Sequence, residues 1–207
     1  MMNFYMTPGS CSTGIHILLE ELELVFGANI VNLPAGDHLK PGFVAINPKS
    51  TIPVLVPDDG RPLTSFVSIA WWLALRHPGA GLLPEGVDAQ AEALELIDYT
   101  VNTMHGQGFT RIFTTDRYCL RPEDEAAVKD QGREIVDKGF ALLARRLEQG
   151  DGYLFGRFGI ADAALFYVEF WADRIDIPLP PACRRHYALM RSRPVVQRVL
   201  REEGYRR

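Results

Sequence analysis

Phe4-Tyr5-Met6-Thr7-Pro8-Gly9-Ser10-Cys11-Ser12-Thr13 carries three structural signals in ten residues. Phe4 to Met6 is a short apolar run that reads as a strand. Pro8-Gly9 breaks it. Ile15, Leu18, Leu19 and Leu22 then follow at helical spacing. Hydroxyls and one thiol therefore sit where a strand ends and a helix begins. Free backbone N–H groups and the positive end of the helix dipole at such a corner hold anions and favour a thiolate. Chemistry is expected here first, with Cys11 as its sharpest candidate.

Working outward, residues 2–6 read as the first strand, about 12–24 as a helix, and 28–33 as a second strand. A brief helical turn is expected at Phe43 to Ile46. Val54-Leu55-Val56 then precedes Asp58-Asp59-Gly60, a tight turn signal that should return the chain antiparallel through Arg61 to Leu63. A helix follows from about Ser65 to Arg76. This order, βαβ then αββα, is that of a thioredoxin-like half. His77 to Pro84 is rich in Pro and Gly and reads as a linker. Beyond it, helical periodicity runs over about 88–113, 123–147, 160–172, 181–191 and 194–203. The fold class is thus α/β plus all-α: a thioredoxin-like domain over 1–77, a linker over 78–87 and an all-helical domain over 88–207.

Composition narrows the function. With 207 residues, 47% hydrophobic and 23% charged, the chain has the make-up of an ordinary globular protein. A net charge of −4 argues against a nucleic-acid partner. No run of 18 apolar residues and no basic-then-apolar leader is present, so no membrane association is expected and the cytoplasm is the default compartment. Cys11, Cys119 and Cys183 are odd in number and widely spaced, which suggests neither a disulfide framework nor a zinc site. No metal is expected.

Four stretches together resemble the cytosolic glutathione transferase family, with the bacterial beta class as its nearest flavour. They are Pro8-Gly9-Ser10-Cys11-Ser12; Asn47-Pro48-Lys49 leading to Ile52-Pro53; Tyr99 with His105 and Gly108-Phe109-Thr110; and Phe158-Gly159-Ile160-Ala161-Asp162-Ala163. The resemblance covers nearly the whole chain. It implies a homodimeric enzyme taking glutathione as co-substrate and a small apolar electrophile as its second partner. It assigns catalytic work to Cys11, Ser12 and His105, and substrate binding to Ser10, Lys40, Ile52, Pro53, Ser65 and Phe66. Ile52-Pro53 is expected to be cis, exposing main-chain groups to which an extended peptide can add as a strand. His105 would assist the sulfur from the helical domain. The electrophile would lie near Arg111, Phe113 and Tyr118.

Each assignment has a plainer counterpart. Ser12 and Thr13 are also ordinary helix caps, and a free cysteine is also a small buried hydrophobe. Tyr5 reads as a core residue, because counting back from Pro8 puts the family's tyrosine at Met6, on the opposite face of the strand. At Leu63-Thr64-Ser65-Phe66-Val67 the chain departs from its family, with Ser65 where most members carry an acid. That removes a partner for the ammonium of glutathione, worth roughly 1–3 kcal/mol. Gly159 likewise leaves only the Asp162 half of a reciprocal cap. The chemistry expected is thiolate attack or thiol–disulfide exchange. The alternative is a non-catalytic binding protein of the same fold with an altered glutathione pocket.

Overall fold

The computed structural model describes residues 1–205. Residues 206 and 207, the end of the expected helical domain, lie outside the described residues. The chain forms two compact units. One is Met1–Leu83 joined by the segment that starts at Met190, and the other is Pro84–Leu189.

The first unit is built on a four-stranded sheet in the order β2-β1-β3-β4. β1 (Met2–Met6) pairs parallel with β2 (Phe26–Ile30), and the crossover between them is α1 (Ser12–Glu21). β3 (Val54–Val56) runs antiparallel to both β1 and β4 (Leu63–Thr64). Strand alternation sorts the side chains. Phe4 and Met6 are buried on one face, while Tyr5 packs on the other with Val31, Phe43 and Val54 beneath α2 (Pro41–Ile46). α3 (Phe66–Arg76) supplies Phe66, Ile69 and Leu73 to the core.

Two strands differ from expectation. β2 starts two residues early because its register begins at Met2↔Phe26, and the stretch after Val31 turns away when Asn32 N–H donates to Asp37 Oδ2. β4 starts late because Pro57 to Arg61 is used by the turn. There Gly60 N–H donates to Pro57 O, and Arg61 N–H to Asp59 Oδ1.

The sequence division ran the helical domain to residue 207. Contacts instead carry α9 (Pro194–Glu202) into the first unit, where it packs on α1. The bonds explain why. Arg193 Nη2 lies 2.5 Å from Glu21 Oε1, and Arg198 Nη2 lies 2.6 Å from Glu20 Oε2, while Val196 and Val199 are buried.

The second unit is helical: α4 (Val87–Asp98), α5 (Thr110–Phe113), α6 (Glu125–Leu147), α7 (Ile160–Arg174) and most of α8 (Pro181–Ser192). The single helix expected over 88–113 is not uniform. Between α4 and α5 it widens into a π-helical stretch, Tyr99–Phe109. Close packing on α6 accompanies this. A Cβ on Gly108 would meet Val136 Cγ2 at 2.8 Å, and one on Gly132 would meet Gly108 O at 2.8 Å. Only glycine pairs permit that approach.

α7 is buried along nearly its whole length. Its start is held by Asp162, whose carboxylate accepts from Gly159 N–H and Leu154 N–H at 2.9 Å each, so the remaining half of the cap is used. Below it, His186 lies between Asp162 and Glu169 with no exposure to solvent.

Candidate active site

Everything at the corner after β1 follows from one turn. Thr7 closes it. Its N–H donates to Ser12 Oγ at 3.1 Å, while its carbonyl accepts from Ser10 Oγ at 2.7 Å and lies 3.1 Å from Ser12 Oγ. Ser10 Oγ and Ser12 Oγ also share a short hydrogen bond. Ser12 is fully buried, and its hydroxyl is spent on holding the turn. Neither Ser12 nor Thr13 caps α1, contrary to their plainer reading. Thr13 Oγ1 donates instead to Glu203 Oε2 at 2.7 Å.

Cys11 stands at the N-cap of α1 with α-helical backbone angles, and its Sγ donates to Ile52 O at 3.8 Å. The Ile52–Pro53 bond is cis. The corner and the Ile52–Pro53 loop therefore lie side by side. Sheet register adds the next piece. Val54 pairs with Tyr5 on one side and Thr64 on the other, which puts Pro53, the residues after β1, and Ser65 at one end of the sheet. Ser65 itself has φ 78, an uncommon left-handed value for a residue with a Cβ, and its Oγ accepts from Ser68 N–H as the cap of α3.

Electrostatics at Cys11 run against the sequence expectation. The helix start and its N–H groups favour a thiolate, but burial outweighs them and pushes the thiol up to about 12. Cys11 is only 6% exposed, a fact that its position in the chain did not reveal. At neutral pH it is a neutral S–H donor.

The other assigned residues divide. Phe66 is in the core, so only its backbone faces the helix start. Lys40 is exposed and pairs with Asp37 Oδ1 at 2.6 Å, three residues away. Lys49, which was not singled out, donates its Nζ to Thr64 Oγ1 and so brings an ammonium next to Ser65.

Similarity to known proteins agrees with this geometry. Residues 9–76 match the glutathione S-transferase N-terminal domain family, and residues 126–200 match the glutathione S-transferase C-terminal domain family. Glutathione S-transferase GstA of Escherichia coli O157:H7 is 32% identical over 98% of this chain and 99% of its own. The chain belongs to the glutathione S-transferase family. Another relative, at 26% identity over 97% of this chain and 94% of its own, is the disulfide-bond oxidoreductase YfcG of Escherichia coli K12. Among solved structures, a glutathione transferase homologue from Sulfitobacter with bound glutathione superposes with a TM-score of 0.88. It is 26% identical, over 100% of this chain and 99% of that one.

In the second unit of this glutathione S-transferase, His105 lies on the π-helical stretch. Its Nδ1 is 3.3 Å from Tyr167 OH, and its ring meets Trp171 edge-on at 4.8 Å between centroids. Burial pushes it down to about 4, so it is a neutral ring at physiological pH. Phe113 stacks on Phe109 and lines a cavity of about 580 Å³ with Ile112, Cys119 and Leu120. Arg111 instead lies over the Tyr118 ring at 4.7 Å.

Sequence reasoning missed Glu203. One oxygen accepts from Gly9 N–H and Thr13 Oγ1, both at 2.7 Å, and the other from His16 Nδ1 at 2.9 Å. Tyr205 adds a bond from its hydroxyl to Pro8 O at 3.4 Å. No local pattern at Glu202-Glu203-Gly204 announces a partner 194 residues away.

Proposed function

We propose that this chain binds glutathione at the end of the sheet where Cys11, Ile52–Pro53 and Ser65 meet, and directs its sulfur at a small apolar electrophile. The observation that carries the reading is the Cys11 Sγ to Ile52 O contact, because it joins the two stretches that the family resemblance assigns to glutathione. Ile52 offers its main chain to an extended peptide, and the N-terminus of α3 at Ser65 and Phe66 faces where a carboxylate would dock.

A thiol near 12 favours conjugation by glutathione's own sulfur over exchange through a Cys11 thiolate. Cys11 then acts as an S–H donor toward the glutathione thiolate. Ser10 and Ser12 hold the turn that presents it. For His105 the family's assisting role is kept as part of the proposal, exercised by a neutral ring. Lys40 is kept for the glycyl carboxylate, in competition with Asp37. The same resemblance extends the proposal to a cytoplasmic homodimer acting in detoxification. Three free thiols, with no disulfide among the described residues, support a reducing compartment. No helix among the described residues is long and apolar enough to cross a membrane.

Ser65 in place of the acid favours weak binding. Calorimetric titration with glutathione and conjugation to an activated aryl chloride test the whole reading. Ser65→Glu should tighten glutathione binding, by up to roughly tenfold for a partly solvated charge pair. No binding heat and no conjugation by the parent chain would leave the non-catalytic alternative standing.

A further inference from the structure

We infer that His16, Glu20 and Glu202 form a binding site for a divalent transition-metal cation, of which Zn²⁺ is the representative. The site lies where α1 meets α9, within the first unit and apart from the glutathione reading. Glu203 is a carboxylate that accepts from three donors, so the His16 nitrogen facing it, Nδ1, carries a proton. The other ring nitrogen, Nε2, points the opposite way. There it meets not a donor but Glu202 Oε2, at 3.4 Å. A ring nitrogen facing a carboxylate oxygen is satisfied by one cation between them, a proton on Nε2 or a metal ion.

Distance decides what size of cation fits. Two ligands of a tetrahedral zinc ion, each about 2.1 Å from it, stand roughly 3.4 Å apart. The His16 to Glu202 separation has that value. A donor atom of Glu20 completes the set, all three lying within 4.8 Å of one another. His16 is 5% exposed and fixed by Glu203, the outer carboxylate that orients a metal-binding imidazole and sets its tautomer. Glu20 and Glu202 reach solvent, with side chains 21% and 48% exposed. All four residues line a cavity of about 360 Å³, so an ion has a way in. Arg198 competes for Glu20, holding Oε2 at 2.6 Å, but a carboxylate has a second oxygen to offer. An imidazole with two carboxylates suits Zn²⁺ and its neighbours, not Ca²⁺ or Mg²⁺.

The test is titration of the metal-free full chain with Zn²⁺ by calorimetry, with Co²⁺ as a spectroscopic substitute. The expectation is one equivalent bound, a rise in Tm with added Zn²⁺, and visible Co²⁺ absorption without the near-ultraviolet band of a cobalt–thiolate bond. Outer-sphere partners alone are worth about 10–100-fold in affinity, so Glu202→Gln and Glu20→Gln should each cost at least about tenfold. Glu202 is exposed and Glu20 half-buried, and glutamine keeps an acceptor oxygen at both positions, for Arg198 as well. Arg198→Ala should tighten binding. A cobalt–thiolate band would assign the ion to a cysteine and overturn the proposal. So would unchanged affinity in both glutamine variants, or no binding at all, which would mean that a proton fills the gap at Nε2.

Discussion

His186 Nδ1 lies 2.8 Å from Glu169 Oε2, and neither side chain touches solvent. Burial alone would disfavour a charged ring, yet Glu169 and Asp162 together raise His186 to about 10. Burial also raises Glu169 to about 7, with His186 partly offsetting it. Both folded values stand above the ordinary ones of 6.5 and 4.5, so the sign is the same for both. The contribution of His186 is fully present below its ordinary value and is lost as pH rises through about 10. That of Glu169 is lost on the way up through about 7.

Stability should therefore fall from neutral to alkaline pH more steeply in this chain than in a His186→Phe/Glu169→Leu variant, whose apolar pair does not titrate. Tm measured at intervals between about pH 6 and 10 checks it. Parallel curves would show that the pair does not carry the linkage. Glu169→Ala alone, which leaves a buried charged ring short of one partner, should cost about 3–5 kcal/mol.

Glu203→Ala should be among the most damaging single changes in the first unit. It removes the shared acceptor of Gly9 N–H and of two buried donors, Thr13 Oγ1 and His16 Nδ1. Each unsatisfied buried group costs about 1–3 kcal/mol, so a loss of about 3 kcal/mol or more is expected in urea denaturation. Glu203→Gln keeps an acceptor and should lose less.

Gly9→Ala meets two separate obstacles. Its φ is +71, and the added Cβ would fall 1.9 Å from Tyr205 OH. The backbone part costs about 1–2 kcal/mol, and the collision adds to it. Tyr205→Ala in the same chain should recover the second part and not the first. A double-mutant cycle measured by denaturation separates them. Full additivity would mean that the two residues do not press on each other.

Thiol reagents should modify Cys119 first in the native protein. Cys11 and Cys183 are buried and both pushed up to about 12 by that burial, whereas Cys119 is partly exposed. Cys119→Ser should remove the fast-reacting thiol in an Ellman titration without glutathione. A fast thiol that survives in that variant would contradict the burial of Cys11.

The legible part of this molecule was what neighbours in the chain decide. Phe4 to Met6, the break at Pro8-Gly9 and the spacing of Ile15 and Leu18 placed β1 and α1 where they lie. The family resemblance, not periodicity, supplied the cis bond before Pro53. What stayed hidden depends on packing. A thiol at a helix start reads as activated until its burial is known, and Cys11 reverses sign on that one quantity. The polar run Asn102 to Gly108 carries no spacing that announces a wider helix, and only the glycine contacts with α6 show why it widens there. Glu203 was illegible because hydrogen bonds across the length of a chain leave no local spacing to read.

The bond from Gly9 to Glu203 also orders events in time. A ribosome makes the corner 194 residues before its acceptor. Until residue 203 has emerged, Gly9, Thr13 and His16 have no carboxylate to share, and contacts of such sequence separation close late. A chain cut just before residue 203 would hold every helix and lack the acceptor of Gly9, Thr13 and His16. Completion of residue 203 is thus a checkpoint on a corner made long before it.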